Sequence, residues 1–209
     1  MAERRLVGSA RRLRAPGGVA GGGSPPPTSS PSVDVAADDP LRPGWAALDA
    51  ALGALDPRLR LGRPADGPGL SALVRELAAT QWEEARDPAP SMLRFLDQPR
   101  CGLPLIAVEQ GLVVGLCLLQ HMPLPLDDGD QLCLDDLYVR RAARGRGLGR
   151  LLLAGVDVLA VALHVRYLYL HVQPEKQRAR RLYAAAGLEA VDTLLMDKLY
   201  DPPASSARR

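Results

Sequence analysis

Gln131-Leu132-Cys133-Leu134-Asp135-Asp136-Leu137-Tyr138-Val139, followed a few residues on by Arg144-Gly145-Arg146-Gly147-Leu148-Gly149, decides how this chain is read. The first stretch follows the loop signal Asp127-Asp128-Gly129-Asp130 and reads as a strand. The second turns the chain into a helix whose buried stripe is Leu148, Leu151, Leu152, Gly155, Leu159, Ala162 and Leu163. A glycine-rich loop that leaves a strand and opens a helix presents unpaired backbone N–H groups where the helix dipole favours an anion. The glycines let a pyrophosphate approach the backbone, and Arg144 or Arg146 can add charge-assisted bonds. A dinucleotide-binding loop needs G-x-G-x-x-G, but the required third glycine after Gly145 and Gly147 is Arg150. That reading fails, and no Walker loop is present.

Upstream, the apolar runs Leu103–Val108 and Leu112–Leu119 flank Glu109-Gln110-Gly111, which predicts an antiparallel hairpin. Pro57–Leu61 alternates Arg and Leu as a strand does, and Asp66 is placed to cap a helix through Leu70, Leu73, Val74 and Leu77. A second short helix is expected around Ser91–Leu96. Downstream come a strand at Tyr167–Val172, a helix with Ala179, Leu182, Tyr183 and Ala186 on its buried face and Gly187 at its end, and a closing strand or hairpin over Val191–Leu199. The expected fold class is α/β (α+β): a mixed sheet with helices on its faces, spanning residues 58–201. A short amphipathic helix at 41–57 carries Trp45, Leu48, Leu52 and Leu55 at helical spacing, to pack on the domain or on a partner. Residues 1–40, rich in Arg, Gly, Pro and Ser, and the tail 202–209 are expected to be disordered.

The loop matches the acetyl-CoA motif Gln/Arg-x-x-Gly-x-Gly/Ala through Arg144, Gly147 and Gly149, and here the chain resembles the GNAT superfamily of N-acetyltransferases. Leu134-Asp135-Asp136-Leu137-Tyr138-Val139 is similar to that family's fourth strand, nearest the Leu-Glu-Asp-Leu/Phe-x-Val form of diamine and polyamine acetyltransferases. Ala179-x-x-Leu182-Tyr183-x-x-x-Gly187-Leu188 resembles its Ala-x-x-Leu/Phe-Tyr-x-x-x-Gly-Phe helix, and Arg58–Leu70 its opening strand and helix. The resemblance implies a mostly antiparallel central sheet and acetyl-CoA as co-substrate, with the pantetheine arm on the backbone of Leu137, Tyr138 and Val139. It implies a cofactor loop of Arg144, Gly145, Arg146, Gly147, Leu148 and Gly149. Lys176 stands where many members have Asn, on the cofactor side, and Leu188 replaces the usual Phe. The resemblance leaves room for a homodimer, which many relatives form.

Acetyl transfer from a thioester to an amine needs a neutral amine, a polarised carbonyl and a proton donor for the departing thiolate. Tyr183 is the candidate donor, because a phenol near pKa 10 stays protonated at neutral pH; its place on the apolar stripe also suits a core tyrosine. Asp135 and Asp136 are strand neighbours whose side chains are expected on opposite faces. Asp135, at the Glu position of the polyamine-type motif, is the candidate to bind an ammonium group or relay its proton. With Asp127, Asp128 and Asp130 it would favour a small cationic amine as substrate, although acidic loops are ordinarily just solvated. Glu76, Trp82, Glu83 and Glu84 are weaker candidates for the same cleft, as is His171. An acetyltransferase acting on a protein amine, or a non-catalytic CoA-binding module, are the competing readings.

Composition bounds the rest. The chain has 209 residues, 47% hydrophobic but only 4% aromatic, so aliphatic side chains must fill the core. A formal net charge of +2 gives no nucleic-acid footprint. Cys101, Cys117 and Cys133 are an odd number without CxxC spacing, which argues against a disulfide framework or a metal site and suits a reducing cytoplasm. No apolar run is long enough to span a membrane.

Overall fold

Alternation at Leu59-Arg60-Leu61 makes the first strand, β1 (Leu59–Leu61), with both leucines buried and Arg60 between them half-buried. The structure, a computed structural model, describes residues 44–80, 89–96, 102–123 and 129–192, with Met196 and Lys198 besides. The tails at 1–40 and 202–209, Trp82, Glu83, Glu84, Cys101, Asp127, Asp128 and most of the closing strand expected at Val191–Leu199 lie outside the described residues.

Strands β2 (Gly102–Glu109), β3 (Leu112–Pro123), β4 (Asp130–Val139) and β5 (Val165–Leu170) complete a five-stranded sheet in the order β1-β2-β3-β4-β5. The first three pairings are antiparallel and β4 with β5 is parallel, which agrees with the mixed, mostly antiparallel sheet expected from sequence. Gln110 and Gly111 both take left-handed φ, +52° and +78°, as the mirror-image turn of a two-residue hairpin requires. Pro104 is tolerated within β2 because β1 ends opposite Leu105: past that point Pro104 offers its carbonyl, which accepts the Gly62 amide at 2.6 Å, and no N–H is asked of it.

The helices are α1 (Trp45–Leu55), α2 (Gly67–Ala78), α3 (Ala89–Leu96), α4 (Leu148–Ala162) and α5 (Gln177–Ala185). Leu48 and Leu52 of α1 join Leu59, Leu105, Leu119, Leu132, Leu134, Leu152 and Val156 in one apolar cluster, so the helix expected at 41–57 packs into the domain core. Asp49 of α1 fixes that placement: it accepts the Leu61 amide at 2.7 Å and the Arg63 guanidinium at 2.9 Å. On the opposite face of the sheet Leu70 and Leu73 of α2 and Met92 and Leu96 of α3 pack on Ile106, Leu116, Leu118 and Tyr138. No helix among the described residues is long and apolar enough to cross a membrane.

Two expectations are corrected. Asp66 does not cap α2 with its side chain: it accepts both arms of the Arg60 guanidinium at 2.7 Å and the Arg63 amide at 2.8 Å. The Arg60 bonds hold its carboxyl below the usual range. α2 instead grows out of a 3-10 turn, Pro64–Asp66, with Pro68 in its first turn. The second correction concerns Asp135 and Asp136. Leu118 pairs with Asp136 but Leu119 pairs with Leu134, so Asp135 is an extra residue in β4, a β-bulge. Leu134 and Leu137, three positions apart, both pack toward the α4 cluster, whereas regular alternation would put them on opposite faces. The two aspartates between them therefore take up what pleating allots to one residue, and the simple opposite-face expectation fails.

Candidate active site

At the bulge the sheet opens. Pairing of β4 with β5 runs from Asp130↔Val165 to Leu134↔Leu170 and goes no further, while β4 stays paired with β3 as far as Val139↔Gly115. Residues 135–139 thus present one edge without a partner strand among the described residues, and the chain passes directly from that edge into the glycine loop. A short 3-10 turn, Arg141–Ala143, joins the two, and Ala143 anchors it in the core.

Gly145 and Gly147 have φ of +81° and +82°, a conformation that glycine adopts without the penalty a Cβ brings. A Cβ at either would meet nothing within 4 Å, so the loop offers open backbone to a ligand. Gly147 leads into α4, and no side chain caps that helix, leaving its first-turn amides for an anion. Gly149 serves packing: a Cβ there would stand 3.2 Å from Leu182 of α5. Leu148 is buried in the core and can offer only its backbone. The arginines are occupied within the protein. Arg144 Nε donates to the Val139 carbonyl at 2.9 Å and its guanidinium lies 5.0 Å from the centre of the Tyr138 ring. Arg146 forms a bidentate pair with Glu109, at 2.8 and 3.1 Å. These features fit a pyrophosphate-bearing co-substrate.

α5 ends in a Schellman motif: Leu188 N–H donates to the Tyr183 carbonyl at 3.1 Å and Gly187 N–H to that of Ala184 at 3.0 Å, with Gly187 left-handed. That geometry fixes the backbone of Tyr183, whose side chain packs against the core and lines a cleft of about 300 Å³ with Val172, Arg180 and Leu188. Burial pushes the Tyr183 phenol up to about 12, with Cys117 and Asp136 adding to it. Asp136 is itself raised, by burial first and then by the charge of Asp135. The charge of Asp136 thus reaches Tyr183, although from sequence Asp135 is the candidate; nothing in a run of two aspartates signals a bulge.

Asp135 has different company. It is exposed, accepts the Gln120 side-chain amide at 2.5 Å, and takes the Cys133 thiol at 3.4 Å. Burial raises Cys133 to about 11, and Tyr169 hydrogen-bonds to it. Tyr169 stacks on Tyr167 at 5.6 Å and meets the His171 ring edge-on at 5.9 Å, an aromatic stripe along β5 and just past its end that the sequence reading missed, although its i, i+2 spacing is a signal for it. Lys176 precedes α5, its amide donating to Gln173 at 3.1 Å and its carbonyl accepting from Arg180 at 3.0 Å. Glu76 pairs with Arg140 at 3.4 Å, and Asp130 lies 2.7 Å from His121. Among the described residues no group of three or more His, Cys, Asp and Glu is placed to hold a metal ion.

Comparison with known proteins bears on this arrangement. No curated protein sequence matches the chain. Among solved structures, the ribosomal-protein-alanine N-acetyltransferase of Brucella melitensis biovar Abortus 2308 aligns over 68% of this chain and 98% of its own, at 20% identity and a TM-score of 0.60. An integron cassette protein from the mobile metagenome of Cole Harbour Salt Marsh aligns over 71% and 94%, at 27% identity and 0.61. An aminoglycoside acetyltransferase from an uncultured soil metagenomic sample, in complex with trehalose, aligns over 71% and 99%, at 14% identity and 0.59. The model of the acetyltransferase (GNAT) family matches residues 72–188, from within α2 past the end of α5 and so across β4, the glycine loop and Tyr183. The chain belongs to the acetyltransferase (GNAT) family and is an acetyl-CoA-dependent N-acetyltransferase.

Proposed function

We propose that this enzyme transfers the acetyl group of acetyl-CoA directly to a primary amine of a small cationic molecule of the diamine or polyamine kind. The observation that carries the reading is the edge of β4 opened at the bulge and running straight into an uncapped helix N-terminus through two left-handed glycines. In this reading the backbone of Leu137, Tyr138 and Val139 pairs with the pantetheine arm. The amides of Gly145–Gly149 take the pyrophosphate, and Lys176 lies toward the outer phosphates. Acetyl-CoA supplies the activated acyl group.

Asp135, exposed and facing the same aromatic stripe as Cys133 and Tyr169, attracts the cationic acceptor, and the ring faces of Tyr167 and Tyr169 complement it. Asp136, half-buried and with its carboxyl raised by burial, hydrogen-bonds the acceptor nitrogen, which attacks as the neutral amine after giving its ammonium proton to water, and takes the proton that this nitrogen sheds as the C–N bond forms. Tyr183 points its hydroxyl to the departing sulfur. With its phenol at about 12, outright transfer to a thiolate near 8.5 would cost roughly 5 kcal/mol, so its contribution is a hydrogen bond to the developing charge, with the proton settling from water afterwards. The exposed acidic and aromatic side chains beside the open edge favour a small cationic acceptor over a protein amine.

Thermal melting of the purified chain with and without acetyl-CoA, followed by thiol release with a panel of polyamines, amino acids and aminoglycosides, tests the reading. At a hundredfold excess over Kd the ligand stabilises by about 2.7 kcal/mol, a rise in Tm of several degrees. Thiol release with a polyamine is the expected result. An unshifted melt removes the cofactor site, and binding without release from any small amine transfers the assignment to a protein amine or a binding module.

A further inference from the structure

The two left-handed glycines of the acetyl-CoA loop stand in the open, since nothing lies within 4 Å of a Cβ at Gly145 or Gly147, whereas Leu148 and Gly149 beyond them pack on the core and on α5. The side chains that tie this open part to the rest of the domain are a pair of arginines. Arg144 is bonded back to the end of β4, and Arg146 reaches 37 residues back to Glu109. Glu109 is the last residue of β2 before the tight Gln110-Gly111 turn, so its backbone is fixed by the hairpin register Glu109↔Leu112. Its carboxylate is largely buried, 15% exposed, and is held on its other side by Arg58 at 3.1 Å, just ahead of β1. One carboxylate thus ties the start of the sheet, the first hairpin and the glycine loop together. The bidentate geometry gives it directional stiffness as well as charge.

We propose that Glu109 is a positioning residue for cofactor binding: acting through Arg146, it holds the left-handed glycine pair in the shape that turns the loop amides toward the pyrophosphate. The inference rests on the acetyl-CoA reading above. It differs from the sequence expectation, in which Arg144 or Arg146 adds charge-assisted bonds to the pyrophosphate. The two roles predict opposite signs. If Arg146 anchors the loop, removing the Glu109 carboxylate loosens the site and weakens acetyl-CoA binding. If Arg146 binds phosphate, Glu109 competes for it, and removal tightens binding.

Titration calorimetry of the full chain with acetyl-CoA, on wild type, Glu109→Gln, Arg146→Gln, the double variant and Glu109→Asp, separates them, with circular dichroism to establish that each is folded. Each single Gln variant is expected to raise Kd about two- to fivefold, the range of one partly exposed ion pair. The double variant should lose no more than the larger single loss, because both remove the same contact. Glu109→Asp, which keeps the charge, should recover much of the affinity. Tighter or unchanged binding by Glu109→Gln, or single losses that multiply in the double variant, would overturn the anchor while leaving the cofactor site intact. A folded wild type that binds no acetyl-CoA would instead remove the underlying reading, and the anchor with it.

Discussion

The two halves of β4 make different use of the same strand. From Asp130 to Leu134 it is paired on both sides and sends Leu132 and Leu134 into the core; from 135 to 139 it keeps β3 and loses β5. The boundary is one extra residue, Asp135. A parallel neighbour in register would seal this edge, and a long loop would be costly to order; a single inserted residue opens the sheet while leaving the antiparallel pairing beside it intact. Backbone groups left bare on the open side have to find partners, since an unsatisfied buried amide or carbonyl costs about 1–3 kcal/mol. In the proposed complex the amides of the pantetheine arm supply them, so the strand's missing partner is the co-substrate.

If that division is right, damage to the open half and its loop should fall on ligand binding or turnover, and damage to the closed half on stability. The largest effect is expected from Gly147→Glu, which sets a carboxylate where the pyrophosphate would lie. Acetyl-CoA affinity measured by calorimetry should fall at least about 100-fold. The space around the position is open, so the fold should survive, at a cost of about 1–2 kcal/mol for the left-handed backbone. Leu132→Ala, in the closed half, should cost about 2–5 kcal/mol in urea denaturation, because the side chain is fully buried. Leu137→Ala, only half-buried, should cost less stability and more acetyl-CoA affinity. Equal stability losses from both would break the comparison.

Tyr183→Phe is expected to lower kcat about 10- to 100-fold with acetyl-CoA affinity nearly unchanged; a fall in affinity instead would make Tyr183 a packing residue. The smallest effect sharpens the boundary itself. Asp136 has a folded-state pKa above its unfolded value, so the native state holds more protons and stability falls as pH rises from the unfolded value through the folded one. At pH 7 the full cost is present. Asp136→Asn should therefore raise Tm at pH 7 by about 2 °C, leave it unchanged near pH 3, and lose turnover. A Tm gain at both pH values would mean that packing, not charge, limits the site.

Much of this was legible in one dimension. The hairpin was announced by Gln110-Gly111, the α4 stripe by its leucines, and the anion loop by glycines between a strand and a helix, because each depends on residues near in sequence. What escaped depends on residues that are distant or on a change of phase. Asp66 looked like a cap, but Arg60 across the turn claimed its carboxylate. Arg146 looked free, but its partner Glu109 lies on another hairpin. The bulge broke the alternation, so Asp135 and Asp136 do not fall on opposite faces as regular pleating would put them.

The open edge also bears on how the protein behaves in concentrated solution. A strand with exposed backbone donors and acceptors is a template on which another chain can add itself, and charged residues are the usual deterrent. Here two carboxylates stand side by side where the edge begins. Asp136, whose carboxyl burial raises, gives up its charge before an ordinary aspartate does as pH falls, so this deterrent weakens on acidification, and acetyl-CoA, which covers the edge in the proposed complex, should keep the enzyme clear.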